Sequence, residues 1–166
     1  AYMLSGELAT LLSGRYVELK VYPLSFVEFF SALGGDKATV FQRYLEFGGF
    51  PYVTEIPDEL TYRDYISGIV NTVLIKDVLQ RKQRSDATLV EQLAKYLTDS
   101  SGSLVTIKKI ADTLTSMGQK TTSDTVSTYL SGFQEAYLFF RADRYDIAGK
   151  KYLSINSKYY PVDQSL

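Results

Sequence analysis

The sequence predicts a mainly α-helical chain: a helical subdomain, then a winged helix–turn–helix with a small β-hairpin wing. Two observations carry this. Helix-capping residues stand ahead of several runs with apolar spacing of three and four. After residue 86, three such runs are followed by two stretches of strand character joined by a short polar turn.

In chain order, residues 2–13 read as a helix, with Leu4, Leu8, Leu11 and Leu12 on one face and Gly14 as its stop. Tyr16 to Tyr22 reads as a strand, because Val17, Leu19 and Val21 alternate with Glu18 and Lys20. Ser25 and Glu28 form a capping box, flanked by Leu24 and Phe29 as a hydrophobic staple. The short helix that follows ends at Gly34-Gly35. Residues 36–47 form another, with Val40, Tyr44 and Phe47 on one side. Gly48-Gly49-Phe50-Pro51 forces a turn. Thr61 and Asp64 signal a long helix to about Arg84, with Tyr62, Tyr65, Ile66, Ile69, Val70, Val73 and Leu74 as its apolar face.

The second half reads as one unit over 86–160. A helix at 86–99 carries Leu89, Leu93, Tyr96 and Leu97. Thr106 caps a helix with Ile107, Ile110, Ala111 and Leu114. After the turn Met117-Gly118-Gln119-Lys120, Thr121 or Thr122 opens a third helix with Val126, Tyr129, Leu130 and Phe133. Residues 137–145 and 151–160 are the strands of the hairpin.

Composition excludes much chemistry. The chain has 166 residues with no Cys and no His. Disulfides and Ser-His-Asp or Cys-His catalysis are impossible in it, and zinc, haem and iron–sulfur sites lack their usual ligands. No apolar run approaches the roughly 20 residues of a membrane-spanning helix, and the first residues lack a signal-peptide pattern. The expectation is a cytoplasmic protein without a membrane partner. Residues 1–60 carry four basic and eight acidic groups, residues 61–85 five and two, and the remainder nine of each. No segment has the basic excess of a dedicated nucleic-acid binder.

The motifs are correspondingly sparse. A phosphate-binding Gly-x-x-x-x-Gly-Lys-Ser/Thr loop is absent, and the two Gly pairs read as turns. Asp58-Glu59 reads as solvated surface, and Lys76 to Arg84 as a solvated helix end. The third helix of the second unit contains no Arg or Lys, so the usual Arg-to-guanine contact is missing. Double-stranded DNA could still meet Ser123, Thr125 and Thr128, with Lys108, Lys109, Lys120, Arg141, Arg144, Lys150 and Lys151 as phosphate clamps. The competing expectation is a winged helix that packs on protein.

The run Leu12-Ser-Gly-Arg15, then Tyr22-Pro-Leu-Ser-Phe-x-Glu28, then Tyr44-Leu-Glu-Phe-Gly-Gly-Phe-Pro51 is one ordered set of motifs. Lys76-Asp77 with Arg81, Thr125-Val-x-x-Tyr-Leu130 and Lys158-Tyr-Tyr-Pro-Val-Asp163 complete it. In that order they resemble prokaryotic AAA+ superfamily ATPases with a C-terminal DUF4143 region. The resemblance implies that 1–23 end an ATPase core, 24–85 form a helical lid, 86–160 are the winged helix, and 161–166 enter a further, nuclease-like domain. It implies a fragment without a catalytic centre of its own, whose parent uses ATP and Mg and couples ATP binding to DNA or partner engagement. Arg15 then becomes a nucleotide-sensing candidate near the γ-phosphate. Two alternatives stand beside it. One is a winged-helix transcription regulator. The other is a protein–protein adaptor or homo-oligomer that uses the Tyr-rich surface.

Overall fold

The computed structural model describes residues 19–56, 58–72, 78–79, 86–149 and 151–166. Among them are six α-helices, one 3-10 turn and one two-stranded antiparallel sheet. The helices are α1 (Phe26–Leu33), α2 (Lys37–Phe47), α3 (Glu59–Thr72), α4 (Ala87–Asp99), α5 (Ile107–Ser116) and α6 (Ser123–Glu135). The strands are β1 (Phe139–Asp146) and β2 (Lys151–Pro161). The mainly helical expectation holds. The expected helix at 2–13 lies outside the described residues. So does most of the expected strand at 16–22, and its described part, 19–22, is irregular.

The chain divides into two compact units. One comprises residues up to Asn71 together with Val162–Leu166, the other Thr72–Pro161. In the first unit the caps do what their spacing predicts. The Ser25 amide donates to Glu28 Oε2 at 2.8 Å, and the Glu28 amide returns a longer bond to Ser25 Oγ. The bonds from Ser25 hold the Glu28 carboxyl below its ordinary pKa. Asp36 caps α2 by accepting from the Thr39 amide at 2.9 Å. The third helix starts earlier than Thr61: Asp58 accepts from the Thr61 amide at 2.9 Å, so Asp58 supplies the cap and Asp64 lies inside the helix. Residues 73–77 and 80–85 of the expected long helix lie outside the described residues.

Phe29, Val40, Val53, Ile56, Tyr62 and Ile66 form the core of this unit. Burying Phe29 completely contributes about 2–3 kcal/mol. Phe47 meets Tyr62 edge-on with ring centroids 4.6 Å apart, and Phe29 meets Tyr44 in the same way at 5.3 Å.

The Gly48-Gly49 turn is built around a buried carboxylate. The Gly49 amide donates to Asp163 Oδ2 at 2.7 Å, and its carbonyl accepts from the Leu24 amide at 2.6 Å. A Cβ at Gly48 would sit 1.9 Å from Asp163 Oδ1, and one at Gly49 2.2 Å from the Leu24 carbonyl oxygen. Both residues are Gly because partners approach the backbone where a side chain would stand. Asp163 Oδ1 also accepts from the Ser165 amide at 2.9 Å. Burial, followed by the charge of Asp163, pushes the pKa of the nearby Tyr44 hydroxyl up.

In the second unit Asp86, Thr106 and Thr122 cap α4, α5 and α6 by accepting from the amides of Leu89, Lys109 and Thr125. Of the two threonines expected to open the last helix, Thr122 is the one that does. The expected apolar faces turn inward: Leu89, Leu93 and Leu97 from α4, Ile110, Ala111 and Leu114 from α5, and Val126, Tyr129, Leu130 and Phe133 from α6 are all buried. The Tyr129 hydroxyl accepts from the Asp86 amide at 3.2 Å, which ties α6 to the start of α4.

Two turns repeat one device. After α5 the Gln119 amide donates to the Leu114 carbonyl and the Gly118 amide to Thr115, with Gly118 at φ +94°. After α6 the Leu138 amide donates to Phe133 and the Tyr137 amide to Gln134, and Tyr137 takes φ +56°. Both are Schellman ends. The second puts a tyrosine where glycine is usual, at a backbone cost of about 1–2 kcal/mol.

Two substitutions test these turns. Tyr137→Gly should be more stable than Tyr137→Ala by about 1 kcal/mol in urea unfolding, because both remove the ring and only Gly relieves the left-handed strain. Asp163→Ala should cost about 2 kcal/mol by the same assay, since it leaves the buried Gly49 amide without its acceptor.

Candidate nucleic-acid interface

The hairpin holds the most organised polar cluster of the second unit. In β1, Arg141 and Asp143 are two residues apart and share a face. Their partners across the ladder are Tyr159 and Ser157. Between Asp143 and Arg144 the register jumps from Ser157 to Leu153, so β2 carries three residues without a partner. On the other side of β2, Val105 and Ser157 exchange both backbone bonds, at 3.0 and 3.1 Å. The Gly102 amide donates to the Tyr159 carbonyl at 3.1 Å. The segment between α4 and α5 thus lies against β2 as a short third element.

Ser157 is 4% exposed, and its hydroxyl donates to Asp143 Oδ1 at 2.7 Å. Arg141 Nε donates to the same oxygen at 2.7 Å and to Ser157 Oγ at 3.1 Å. The Ser157 hydroxyl, then Arg141, holds the Asp143 carboxyl below its ordinary pKa. The guanidinium expected to clamp phosphate is therefore engaged within the hairpin.

The other DNA-contact candidates fall on several elements of the second unit. Lys108 and Lys109 are exposed in the first turn of α5, where a cation opposes the helix dipole. Lys120 is exposed in the turn before α6, and Arg144 is exposed on β1. Ser123 is exposed at the start of α6. Thr125 and Thr128 are half-buried, and the Thr125 hydroxyl lies 3.0 Å from that of Thr122, within the cap. Asp124, Ser131 and Glu135 are exposed on the same helix. Lys150 and Arg15 lie outside the described residues, and Lys151 opens β2 opposite Asp146.

Sequence reasoning missed Ser157, Asp143 and Val105. The Arg-Ala-Asp spacing of β1 could have flagged Asp143 as a same-face neighbour of Arg141. Ser157 could not be found that way, because its register depends on the three-residue bulge.

Among the described residues no helix is long and apolar enough to cross a membrane. No group of three or more acidic, His or Cys side chains among them is placed to hold a metal ion.

Relatives give the chain a family. It belongs to the one described as Domain of unknown function (DUF8612), whose model matches residues 38–166. It is similar to an uncharacterised protein of Haemophilus influenzae, 43% identical over 171 residues that take in all of this chain and 42% of that protein. It is also similar to an uncharacterised protein of Methanocaldococcus jannaschii, 29% identical over 175 residues, covering 97% of this chain and 39% of that protein. The chain thus spans about two fifths of the length of these relatives. No solved structure matches it.

These matches correct the family expectation. The family is DUF8612, and neither the matched family nor these relatives' names carry an AAA+ ATPase or a DUF4143 region. The motifs behind that resemblance have local physical causes. Ser25 and Glu28 cap a helix, and Gly48 and Gly49 make room for Leu24 and Asp163. Residues chosen for such duties recur in unrelated chains. The nucleotide-sensing role of Arg15 is implied by that resemblance alone, and Arg15 lies outside the described residues.

The Asp143 cluster sets a pH dependence. A carboxyl with a depressed folded pKa contributes stability above its unfolded pKa of about 4, and that contribution is lost as pH falls through the folded value. Ser157→Ala should move the Asp143 carboxyl titration, followed by NMR, back up toward the ordinary aspartate value. An unchanged titration would remove the hydroxyl as the main cause.

Proposed function

We propose that residues 87–161 are a winged helix–turn–helix used to dock protein rather than to read DNA. The order α4-α5-α6-β1-β2 supports the fold, as does the Val105–Ser157 bridge, which stands where a winged helix has its third strand. The observation that carries the function is the surface of α6. In a DNA reader this helix enters the major groove. Here it offers Ser123, Asp124, Ser131 and Glu135 to solvent, and it contains no Lys or Arg. A carboxylate near the phosphate backbone opposes binding, and nothing on the helix offsets it.

A second reading is favoured by one feature. Lys108 and Lys109 stand exposed in the first turn of α5, a position from which backbone phosphates can be gripped. A chain without cysteine suits the cytoplasm under either reading.

Fluorescence anisotropy with labelled duplex DNA, at low and then moderate salt, separates the two. Docking to protein predicts no binding at low salt. Binding that weakens steeply with salt, and is lost in Lys108→Ala/Lys109→Ala, would overturn the proposal in favour of a phosphate grip.

A further inference from the structure

We infer that the open edge of β1 pairs antiparallel with the same edge of a second copy of this chain, in a register centred on Ala142. This deepens the protein-docking reading by naming a partner, and it rests on that reading.

The directions of the backbone groups come first. In an antiparallel ladder, facing residues either exchange both of their hydrogen bonds or both turn their groups away. Ser157 spends its amide and carbonyl on Val105, and Tyr159 spends its carbonyl on Gly102. Both therefore turn away from β1. Their ladder partners are Asp143 and Arg141. By the same alternation these two point their N–H and C=O groups to the far side of β1. Pro161 has no N–H and faces Phe139, which fits the same phase. Among the described residues the sheet has no strand beyond β1. Ala142, Asp143 and Arg144 are exposed there.

A two-fold axis through this edge must set outward-pointing residues against each other. Near the middle of the strand, three registers do so. One centred on residue 141 places Arg141 against itself. One centred on 143 places Asp143 against itself. Like charges directly opposite each other are destabilising. The register centred on 142 places Arg141 against Asp143 of the other copy, twice over. Each of those pairs exchanges two backbone bonds. Arg141 and Asp143 already lie together within one chain, so the two copies would interleave their charges with alternating sign.

Ala142 then faces itself in the narrow kind of pair, where α-carbons approach to about 4.5 Å, and a methyl group fits there. Charged edge strands usually serve to repel a neighbour. A guard of that kind works best with one sign of charge. Here the signs alternate, and one register satisfies them. The contact is small, below the roughly 1,200 Å² of a stable interface, so the pair is weak and concentration-dependent.

The test is sedimentation equilibrium of the full chain from low micromolar concentration to its solubility limit. A monomer–dimer equilibrium is expected. Ala142→Lys and Ala142→Glu each place like charges on the two-fold axis, and each should weaken the dimer about tenfold or more. An equimolar mixture of the two variants should dimerise again, because opposite charges then meet on the axis. Thermal melting of each variant checks that the hairpin is intact, since neither change touches Arg141, Asp143 or Ser157. A wild-type chain that stays monomeric to its solubility limit would overturn the inference. So would a dimer indifferent to either substitution, or a mixture that stays monomeric. The DNA measurement is independent: loss of the dimer with no DNA binding leaves protein docking in place, whereas salt-steep DNA binding removes the reading beneath it.

Discussion

The pair of backbone hydrogen bonds between Val105 and Ser157 governs the second unit. It anchors the segment between α4 and α5 to β2, which fixes where α5 begins. It also sets the phase of the whole hairpin. Once the Ser157 backbone faces Val105, its side chain lies on the face of Arg141 and Asp143, and the buried hydroxyl has an acceptor. A buried hydroxyl without one would cost about 1–3 kcal/mol. The polar cluster is therefore satisfied by the register rather than by later adjustment of side chains. The same phase decides which β1 groups face outward.

The first unit obeys a different constraint. Its helices are short and its core is small, so closure depends on backbone approaching backbone. The Leu24 amide meets the Gly49 carbonyl, and the Asp163 carboxylate meets the Gly49 amide. Arg43 adds a bracket by donating to the carbonyls of Val53 and Ile56, at 3.2 and 3.0 Å. These bonds hold the 3-10 turn Pro51–Thr54 beside α2. They let Val53 and Ile56 be buried although they lie outside any α-helix.

The sequence made legible what depends on near neighbours. The Ser25–Glu28 box, the Asp36, Asp58, Thr106 and Thr122 caps and the Gly118 turn are local; spacing alone places the box, Thr106 and the Gly118 turn, and leaves Thr121 and Thr122 as alternatives. Spacing points to Thr61 rather than Asp58, because both precede an apolar run and a single sequence does not separate them. Spacing also puts Asp36 inside its helix, whereas its carboxylate is the cap. The apolar faces of α4, α5 and α6 were legible because periodicity encodes burial directly. What depends on distant residues was not legible. The hairpin register hides a three-residue bulge, Asp163 lies 114 residues from its partner Gly49, and the bond from Arg141 to Ser157 follows only from the strand pairing. A list of basic residues overstates a nucleic-acid surface for that reason: it counts Arg141 as available when Asp143 and Ser157 hold it.

The bond from Gly49 to Asp163 has a consequence for how the protein is made. A ribosome delivers the chain in order of sequence, and the first unit cannot complete its Gly48-Gly49 turn until Asp163 emerges. The second unit is contiguous, Thr72–Pro161, and has all its parts before then. Its helices and hairpin make mostly nearby contacts, which form fast, whereas closing a loop of more than a hundred residues is slow. The unit encoded second therefore finishes first, and the nascent first unit waits with Gly49 uncapped until Asp163 has emerged.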